Sequence, residues 1–309
     1  MKYPDVAQPI IAGIDIGTNT ILMAIGYKNN DGSLTIFHDE VQFARLGNNV
    51  DKTGIIEEAR IIIAEQILRN YAVICESFSV DCIYAVATSA MRDAINGKEV
   101  QLRLEKAIGT SLRIIQGEEE ARLCFLGTVP QNQKAMVIDI GGGSTEIIIG
   151  SHGTLEYIQS INIGAVRLTE RYFHDLPPSQ SEINQALETI QKELVHLPTV
   201  QDYAVYCVAG TPVTLARIAL GLENYDAKLI NGYELSYLVI TIILQQLLHS
   251  TREEIIHIQG VEQQRADILP AGTLILDTLL RHCAKQNCFV STGGVRYGLI
   301  MHHSMTQVS

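Results

Sequence analysis

The sequence predicts an α/β protein made of two similarly built halves, and three observations carry that reading. The chain has 309 residues, 47% of them hydrophobic. That exceeds the size at which one core usually stops growing. Aromatic residues make up only 6%, with no tryptophan, so the apolar content is largely aliphatic and suits sheets covered by helices on both faces. The third observation is a repeated device. Residues 137–149 run from an apolar strand through Asp139-Ile140-Gly141 and small residues into a second apolar strand. Gly13-Ile14-Asp15-Ile16-Gly17-Thr18-Asn19-Thr20-Ile21 has the same layout. Two copies of one device in one chain point to a duplicated fold.

The elements follow in order. Strands are predicted at 10–14, 21–27 and 34–43, with turn residues Asn29-Asn30-Asp31-Gly32 before the third. A helix is predicted after Gly54. Ile55, Ala59, Ile62, Ile63, Ile67 and Ile74 fall on one face of it, and Glu57, Glu58, Glu65 and Arg69 on the other. Residues 81–87 form a buried-type strand. Thr88 or Ser89 can cap the next helix, which carries Arg92 and runs towards Ile108 past an interruption at Asn96-Gly97. A short strand at 112–115 precedes a helix opened by Gly117-Glu118-Glu119-Glu120, whose acidic first turn suits the helix dipole.

The polar break Val129-Pro130-Gln131-Asn132-Gln133 sets the domain boundary, giving domains at 1–128 and 129–309. Beyond it the order repeats. Strands are predicted at 135–140, 146–150 and 154–161, and a helix from Gly164 carries Arg167. After Pro177-Pro178, Ser179 or Ser181 starts an amphipathic helix with Ile183, Leu187, Ile190 and Leu194 on one face. A strand at 203–208 leads through Ala209-Gly210-Thr211-Pro212 into another helix. Residues 231–283 read as a mostly helical insertion. A last strand at 288–290 turns through Ser291-Thr292-Gly293-Gly294 into a closing helix, whose part after 296 is free to pack on the first domain.

Composition excludes several function classes. The net charge is −11, against the basic balance of a general nucleic-acid binder. A polyanionic substrate needs local Arg or Lys clusters, a metal, or both. The six cysteines form no CxxC and no His-Cys zinc spacing, so buried thiols in a reducing compartment are expected. The N-terminus lacks the pattern of a secretory signal. The apolar run 235–248 is too short and too polar to span a bilayer and reads as a core helix. A soluble cytoplasmic protein with no membrane partner follows, a homodimer being compatible with the sequence.

The Gly-rich stretch reads as a phosphate–metal cradle. Glycines 141, 142 and 143 let successive N–H groups converge on an anion, and Ser144 and Thr145 add donors. Asp139 and Glu146 repel a phosphate unless a cation sits between them, and Mg²⁺ suits such oxygen ligands. Asp15, Gly17, Thr18, Asn19 and Thr20 repeat the pattern, with Asp15 a further candidate ligand of the metal or phosphate. Read alone, either stretch is an ordinary Gly-rich hairpin.

Seven motifs then occur in one order: Asp15-Ile16-Gly17-Thr18-Asn19, Ala87-Thr88-Ser89-Ala90-Met91-Arg92, Gly117 to Leu123, Asp139 to Glu146, Gly164-Ala165-Val166-Arg167-Leu168-Thr169-Glu170, Ala209-Gly210-Thr211 and Ser291-Thr292-Gly293-Gly294-Val295-Arg296. In this the chain resembles the exopolyphosphatase / guanosine pentaphosphate phosphohydrolase family of the actin-like ATPase superfamily, over nearly its whole length. The resemblance implies two actin-like (ribonuclease H-like) domains, each a mixed five-stranded sheet flanked by helices, with an interdomain cleft. It implies an exophosphatase acting with Mg²⁺, or Mn²⁺ in its place, on inorganic polyphosphate or on the 5′ γ-phosphate of pppGpp, a stringent-response nucleotide. It also implies a catalytic Glu matching Glu120, and metal or phosphate contacts matching Asp139, Gly141 and Glu146. The chain is similar to the short, two-domain members.

On this reading Glu120 orients or deprotonates the attacking water, since a carboxylate accepts a proton at neutral pH. Glu119, one helical step away, is the alternative base, and plain helix capping is the alternative role for both. Arg92 and Arg167 bind substrate phosphates or form ion pairs. Gly210 and Thr211 line the cleft or serve helix packing. Two rival functions share the fold: an ATP-dependent small-molecule kinase, and a non-catalytic actin-like sensor or filament protein.

Overall fold

The computed structural model of the chain describes residues 8–130, 133–151 and 154–306. Gln131 and Asn132 of the polar break lie outside the described residues. Contacts divide the chain into two units. Unit 1 comprises the described residues of Met1–Gly127 and Gly293–Ser309, and unit 2 is Thr128–Thr292.

In chain order, unit 1 begins with strands β1 (Ile11–Ile16), β2 (Thr20–Lys28) and β3 (Leu34–Phe43). Helices α1 (Val50–Thr53) and α2 (Glu58–Ser77), strand β4 (Cys82–Ala87), helices α3 (Ser89–Asp93) and α4 (Gly97–Ile108), strand β5 (Leu112–Ile114) and helix α5 (Gly117–Thr128) follow. Its sheet has the order β3-β2-β1-β4-β5. The β1–β4 and β4–β5 pairs are parallel, and β1–β2 and β2–β3 antiparallel.

Unit 2 contains β6 (Lys134–Ile140), β7 (Thr145–Ser151), β8 (Thr154–Ile161), α6 (Ala165–Tyr172), α7 (Gln180–Glu193), β9 (Ala204–Val208), α8 (Gly210–Leu220), α9 (Ala227–Ile230), β10 (Glu234–Ser236), α10 (Tyr237–Leu248), α11 (Arg252–Ile256), α12 (Leu269–His282) and β11 (Asn287–Val290). The order β10-β11-β9-β6-β7-β8 repeats the first sheet, β6, β9 and β11 standing where β1, β4 and β5 stand. The sixth strand, β10, pairs antiparallel on the outer edge of β11. Its Leu235 falls in the run read from sequence as one helix. Ser236 ends the strand and caps α10, its hydroxyl accepting from the Val239 N–H, so the helix starts at Tyr237. The closing helix α13 (Val295–Thr306) belongs to unit 1.

Both faces of the first sheet carry helices. One face packs Ile14, Ile16, Ile21, Met23 and Ile25 with α2 and α4. Burying each such side chain stabilises by roughly 1.5–3 kcal/mol relative to exposure. The opposite face takes α13, which crosses β1 and β2. A Cβ on Gly13 would stand 2.1 Å from the Arg296 carbonyl oxygen, so only glycine admits the helix this close. Gly298 meets the Leu123 backbone of α5 in the same way.

The buried face of α2 differs from the sequence expectation. Ile61, Ala64, Leu68, Tyr71 and Cys75 face the core, at alternating steps of three and four, while Ile55, Ile62 and Ile63 are exposed (49%, 53% and 38%). The run Ile61-Ile62-Ile63 is apolar in every direction and leaves the phase of the helix open to a one-residue error. Glu58 and Glu65 are not merely solvated either, since both pair with Arg103 of α4 at 2.7 Å. Neither hydroxyl at the start of α3 caps that helix as expected. Thr88 makes no side-chain cap, and the Ser89 hydroxyl is engaged by Thr18.

Arg296 ties α13 to the sheet. Its Nε and Nη2 reach the two oxygens of Asp39 on β3 at 2.8 and 2.9 Å, and the Tyr297 hydroxyl donates to Asp39 at 2.9 Å. The Arg296 side chain is only 7% exposed, so removing its partner strands a buried charge. Asp39→Ala is expected to lower stability by about 3–5 kcal/mol in urea unfolding, far above an exposed carboxylate such as Glu188.

Candidate functional site

The candidate residues gather at one end of each sheet. In unit 1 the chain leaves parallel strands β1, β4 and β5 at Gly17, Thr88 and Ile115. In unit 2 it leaves β6, β9 and β11 at Gly141, Ala209 and Ser291. These are carboxyl ends of strands, where open α/β sheets bind ligands.

The two hairpin tips share one backbone geometry. Ile16 pairs with Ile21 and Ile140 with Thr145, leaving four residues in each turn. The Gly17 N–H donates to the Thr20 carbonyl at 2.9 Å, and the Gly141 N–H to the Ser144 carbonyl at 3.0 Å. In both, a Cβ on the glycine would sit 3.1 Å from that carbonyl oxygen.

The tip carbonyls are taken up locally. The Thr18 carbonyl accepts from Gly47 N–H at 2.8 Å and the Asn19 carbonyl from Arg45 N–H at 2.9 Å. In unit 2 the first turn of α6 does this work. Ala165 N–H donates to the Gly141 carbonyl, and Val166 and Arg167 N–H to that of Gly142, at 2.9–3.0 Å. By contrast, the N–H groups of Thr18 and Asn19, and of Gly142 and Gly143, donate to no backbone carbonyl among the described residues. Two successive N–H groups so presented make an anion-binding concavity.

The side chains divide between scaffold and site. The Thr18 hydroxyl is hydrogen-bonded to Ser89 at 2.7 Å, and the Thr145 hydroxyl donates to the Ile163 carbonyl at 2.6 Å. Both read from sequence as phosphate donors, and both hold the fold. The Asn19 amide nitrogen is buried and has no hydrogen-bond partner among the described residues, as expected of a donor awaiting an acceptor. Thr20 opens β2 opposite Phe43, and Ser144 is 1% exposed.

Asp139 and Glu146 are direct cross-strand partners, so both carboxylates project from one face of the sheet. The Ser160 hydroxyl donates to Glu146 at 2.7 Å. Asp15 lies instead opposite Leu22, so the first hairpin offers one carboxylate where the second offers two. Among the described residues no group of three or more His, Cys, Asp or Glu could hold a metal. Two carboxylates nevertheless fit Mg²⁺, which binds through one or two of them and takes further oxygens from water and phosphate.

The structure separates Glu120 from Glu119. Glu120 is buried in the first turn of α5, with Arg92 Nη1 3.2 Å from its Oε2. Glu119 points outward, 42% exposed, and pairs with Arg113 at 2.7 Å. Arg92 also donates to the Ile115 carbonyl at 2.8 Å, so this arginine holds Glu120 in place. Helix α3 therefore carries two links, Ser89 to the hairpin tip and Arg92 to the buried carboxylate.

Gly210 and Thr211 open α8. Thr211 packs on Gly272 of α12, where a Cβ would meet its hydroxyl at 2.3 Å. Gly210 lies under Arg265, which would clash with a Cβ there. Arg265 pairs with Glu262 at 2.9 Å, and Glu262 with Arg217 at 3.1 Å. Burial lowers the Arg265 pKa, Glu262 opposing the fall and Arg217 adding to it. Sequence reasoning missed this cluster, in which Arg217 and Arg265 both pair with Glu262. Arg217 and Arg265 are far apart in the chain, and only an arginine in a mostly apolar helix, as at Arg217, hinted at it.

An Asp-Ile-Gly hairpin, a mixed sheet of one repeated order and ligand-side loops at the carboxyl strand ends, all present twice, define an actin-like two-domain protein. The chain belongs to the Ppx/GppA phosphatase family, whose profile matches residues 26–306. Exopolyphosphatase 2 of Mycobacterium tuberculosis is 32% identical over 287 residues, covering 88% of this chain and 90% of that protein. The guanosine-5′-triphosphate,3′-diphosphate pyrophosphatase of Pseudoalteromonas atlantica is 28% identical over 95% of this chain but only 58% of its own length. The crystal structure of the Aquifex aeolicus Ppx/GppA family member matches with a TM-score of 0.82 at 29% identity, over 97% of this chain and 99% of that one. No helix among the described residues is long and apolar enough to cross a membrane.

Gly164 tests the hairpin geometry. A Cβ there would lie 2.4 Å from the Gly142 carbonyl oxygen and 2.6 Å from the Gly143 nitrogen. Gly164→Ala is expected to cost about 1–3 kcal/mol in urea unfolding and to reduce phosphate release by displacing the tip.

Proposed function

We propose that the chain is an exophosphatase that hydrolyses the terminal phosphoanhydride of inorganic polyphosphate, the 5′ γ-phosphate of pppGpp, or both. The observation that carries this reading is the pair of hairpin tips whose N–H groups await an anion, in a chain that also buries a carboxylate beside Arg92. Phosphoryl transfer to water asks little covalent chemistry of a protein. It needs charge neutralised, the phosphate held and the water aimed.

Each tip would supply its two N–H groups to phosphate oxygens, with Asn19 adding its amide. Asp139 and Glu146 would hold Mg²⁺, Asp15 serving as a further oxygen ligand. When bound, the ion supplies charge neutralisation on the phosphate oxygens. Glu120 would accept the proton of the attacking water. Arg92 fixes the orientation of that carboxylate, and Glu119 is left with its surface ion pair. Arg167, Gly210 and Thr211 would position later phosphates of the substrate, with the Arg265 guanidinium lying over Gly210. A cytoplasmic site of action fits substrates of this kind.

Glu120→Gln is expected to retain the fold and lose about 10²–10⁴ in kcat, while Glu119→Gln stays near wild type. Equal losses in the two variants overturn the assignment. Phosphate release should be measured from short and long polyphosphate, pppGpp, ATP and a phosphomonoester. The anhydrides are expected to react without any acceptor, the monoester not. Chelation is expected to abolish release and added Mg²⁺ to restore it. Activity that survives exhaustive chelation removes the metal from the scheme.

A further inference from the structure

A cavity of about 490 Å³ in unit 1 lies on the face of β4 and β5 that α13 leaves uncovered. Its size is within the range of small-molecule pockets. Its lining includes Cys82, Tyr84, Thr110, Ser111, Arg113 and Leu299. None of these belongs to the phosphate-binding residues above. Cys82 and Tyr84 are two apart on β4 and so share a face. Arg113 stands on the adjoining strand β5, paired in register with Val86, and projects to the same side.

Chemistry separates this thiol from the other five. Cys75, Cys124, Cys207 and Cys288 are buried. Cys283 is half-buried, and burial pushes its thiol up to about 11. Cys82 is partly exposed in an open cavity beside a phenol and a guanidinium. The Tyr84 pKa is raised by burial and then by Cys82, to which it is hydrogen-bonded. The sulfur and the phenol thus line the cavity side by side. Arg113 is more than half exposed and paired with Glu119. Exposed pairs are worth about 0–1 kcal/mol, so the guanidinium can exchange partners at little cost. The carboxylate at the rim, Asp81, is already engaged by the Ile10 N–H at 2.8 Å.

We propose that this cavity is a modification site in which the Cys82 thiol exchanges with small disulfides that carry a carboxylate, the carboxylate being received by Arg113. The Cys82 thiolate attacks one sulfur of the disulfide. A new S–S bond forms to Cys82 as the old one breaks. The other half leaves with the electron pair as a thiolate and takes up the proton that Cys82 gave to solvent. Cys82 is oxidised and the leaving half reduced, so a disulfide is the only co-reactant required. Thr110 and Ser111 add hydroxyls beside Arg113, and Leu299 with the Tyr84 ring gives an apolar wall for the carbon skeleton.

The test is the rate of reaction of the whole native protein with 5,5′-dithiobis(2-nitrobenzoate), an anionic disulfide, compared with neutral 2-hydroxyethyl disulfide. One thiol is expected to prefer the anionic reagent over the neutral one several-fold more strongly than the thiols of the urea-unfolded chain do. Peptide mass mapping should place it at Cys82, and Cys82→Ser should abolish the fast phase. Arg113→Gln is expected to slow the anionic reagent several-fold and leave the neutral one unchanged. A fast phase at another cysteine, a native preference for the anionic reagent no greater than that of the unfolded chain, or equal effects of Arg113→Gln on the two reagents each overturn the proposal. Phosphate release plays no part in these readouts, so they stand apart from the proposed hydrolysis.

Discussion

Each hairpin tip turns its backbone so that two carbonyls accept from neighbouring segments while two amides donate to no backbone carbonyl among the described residues. This one asymmetry organises the rest. In unit 1 the segment Ala44 to Gly47 supplies the donors to the Thr18 and Asn19 carbonyls. In unit 2 the first turn of α6 supplies them to Gly141 and Gly142. Successive N–H groups that meet no backbone carbonyl form a concavity able to receive an anion. The glycines follow from the same geometry, since a Cβ at Gly47 would stand 2.1 Å from Thr18 and one at Gly164 would strike the Gly142 carbonyl.

The remaining chemistry is arranged around the negative overall charge. A chain with eleven excess negative charges repels a polyanion at long range, although salt confines that repulsion to about 10 Å. The structure answers locally. Backbone dipoles at the tips carry no net charge, and Arg217 and Arg265 both pair with Glu262. Conversely, the arginines at 92 and 296 are spent on Glu120 and Asp39. Their work is to hold a carboxylate and a helix.

Much of this was legible from residue order. The Asp-Ile-Gly devices and the strand sequence gave the two sheets and their repeated topology, because alternation and turn residues are local signals. Faces and partners were less legible. The three isoleucines starting at Ile61 could not fix which side of α2 meets the sheet. Leu235 looked like the first turn of a helix because nothing local shows that β11 offers it a strand edge. Thr18 and Thr145 looked like phosphate donors, yet their hydroxyls are consumed by Ser89 and the Ile163 carbonyl.

The sequence by itself determined the fold class, the glycine hairpin between Asp139 and Glu146, and the family. All three rest on short-range spacing or on motif order, which the linear chain carries in full. Only the tertiary structure decided that Glu120 is the buried carboxylate and Glu119 the surface one. Adjacent helical positions differ by about 100° in direction, and what lies in each direction, Arg92 or Arg113, comes from distant parts of the chain. The same holds for Arg265 over Gly210, a contact between segments that neither composition nor periodicity brings together.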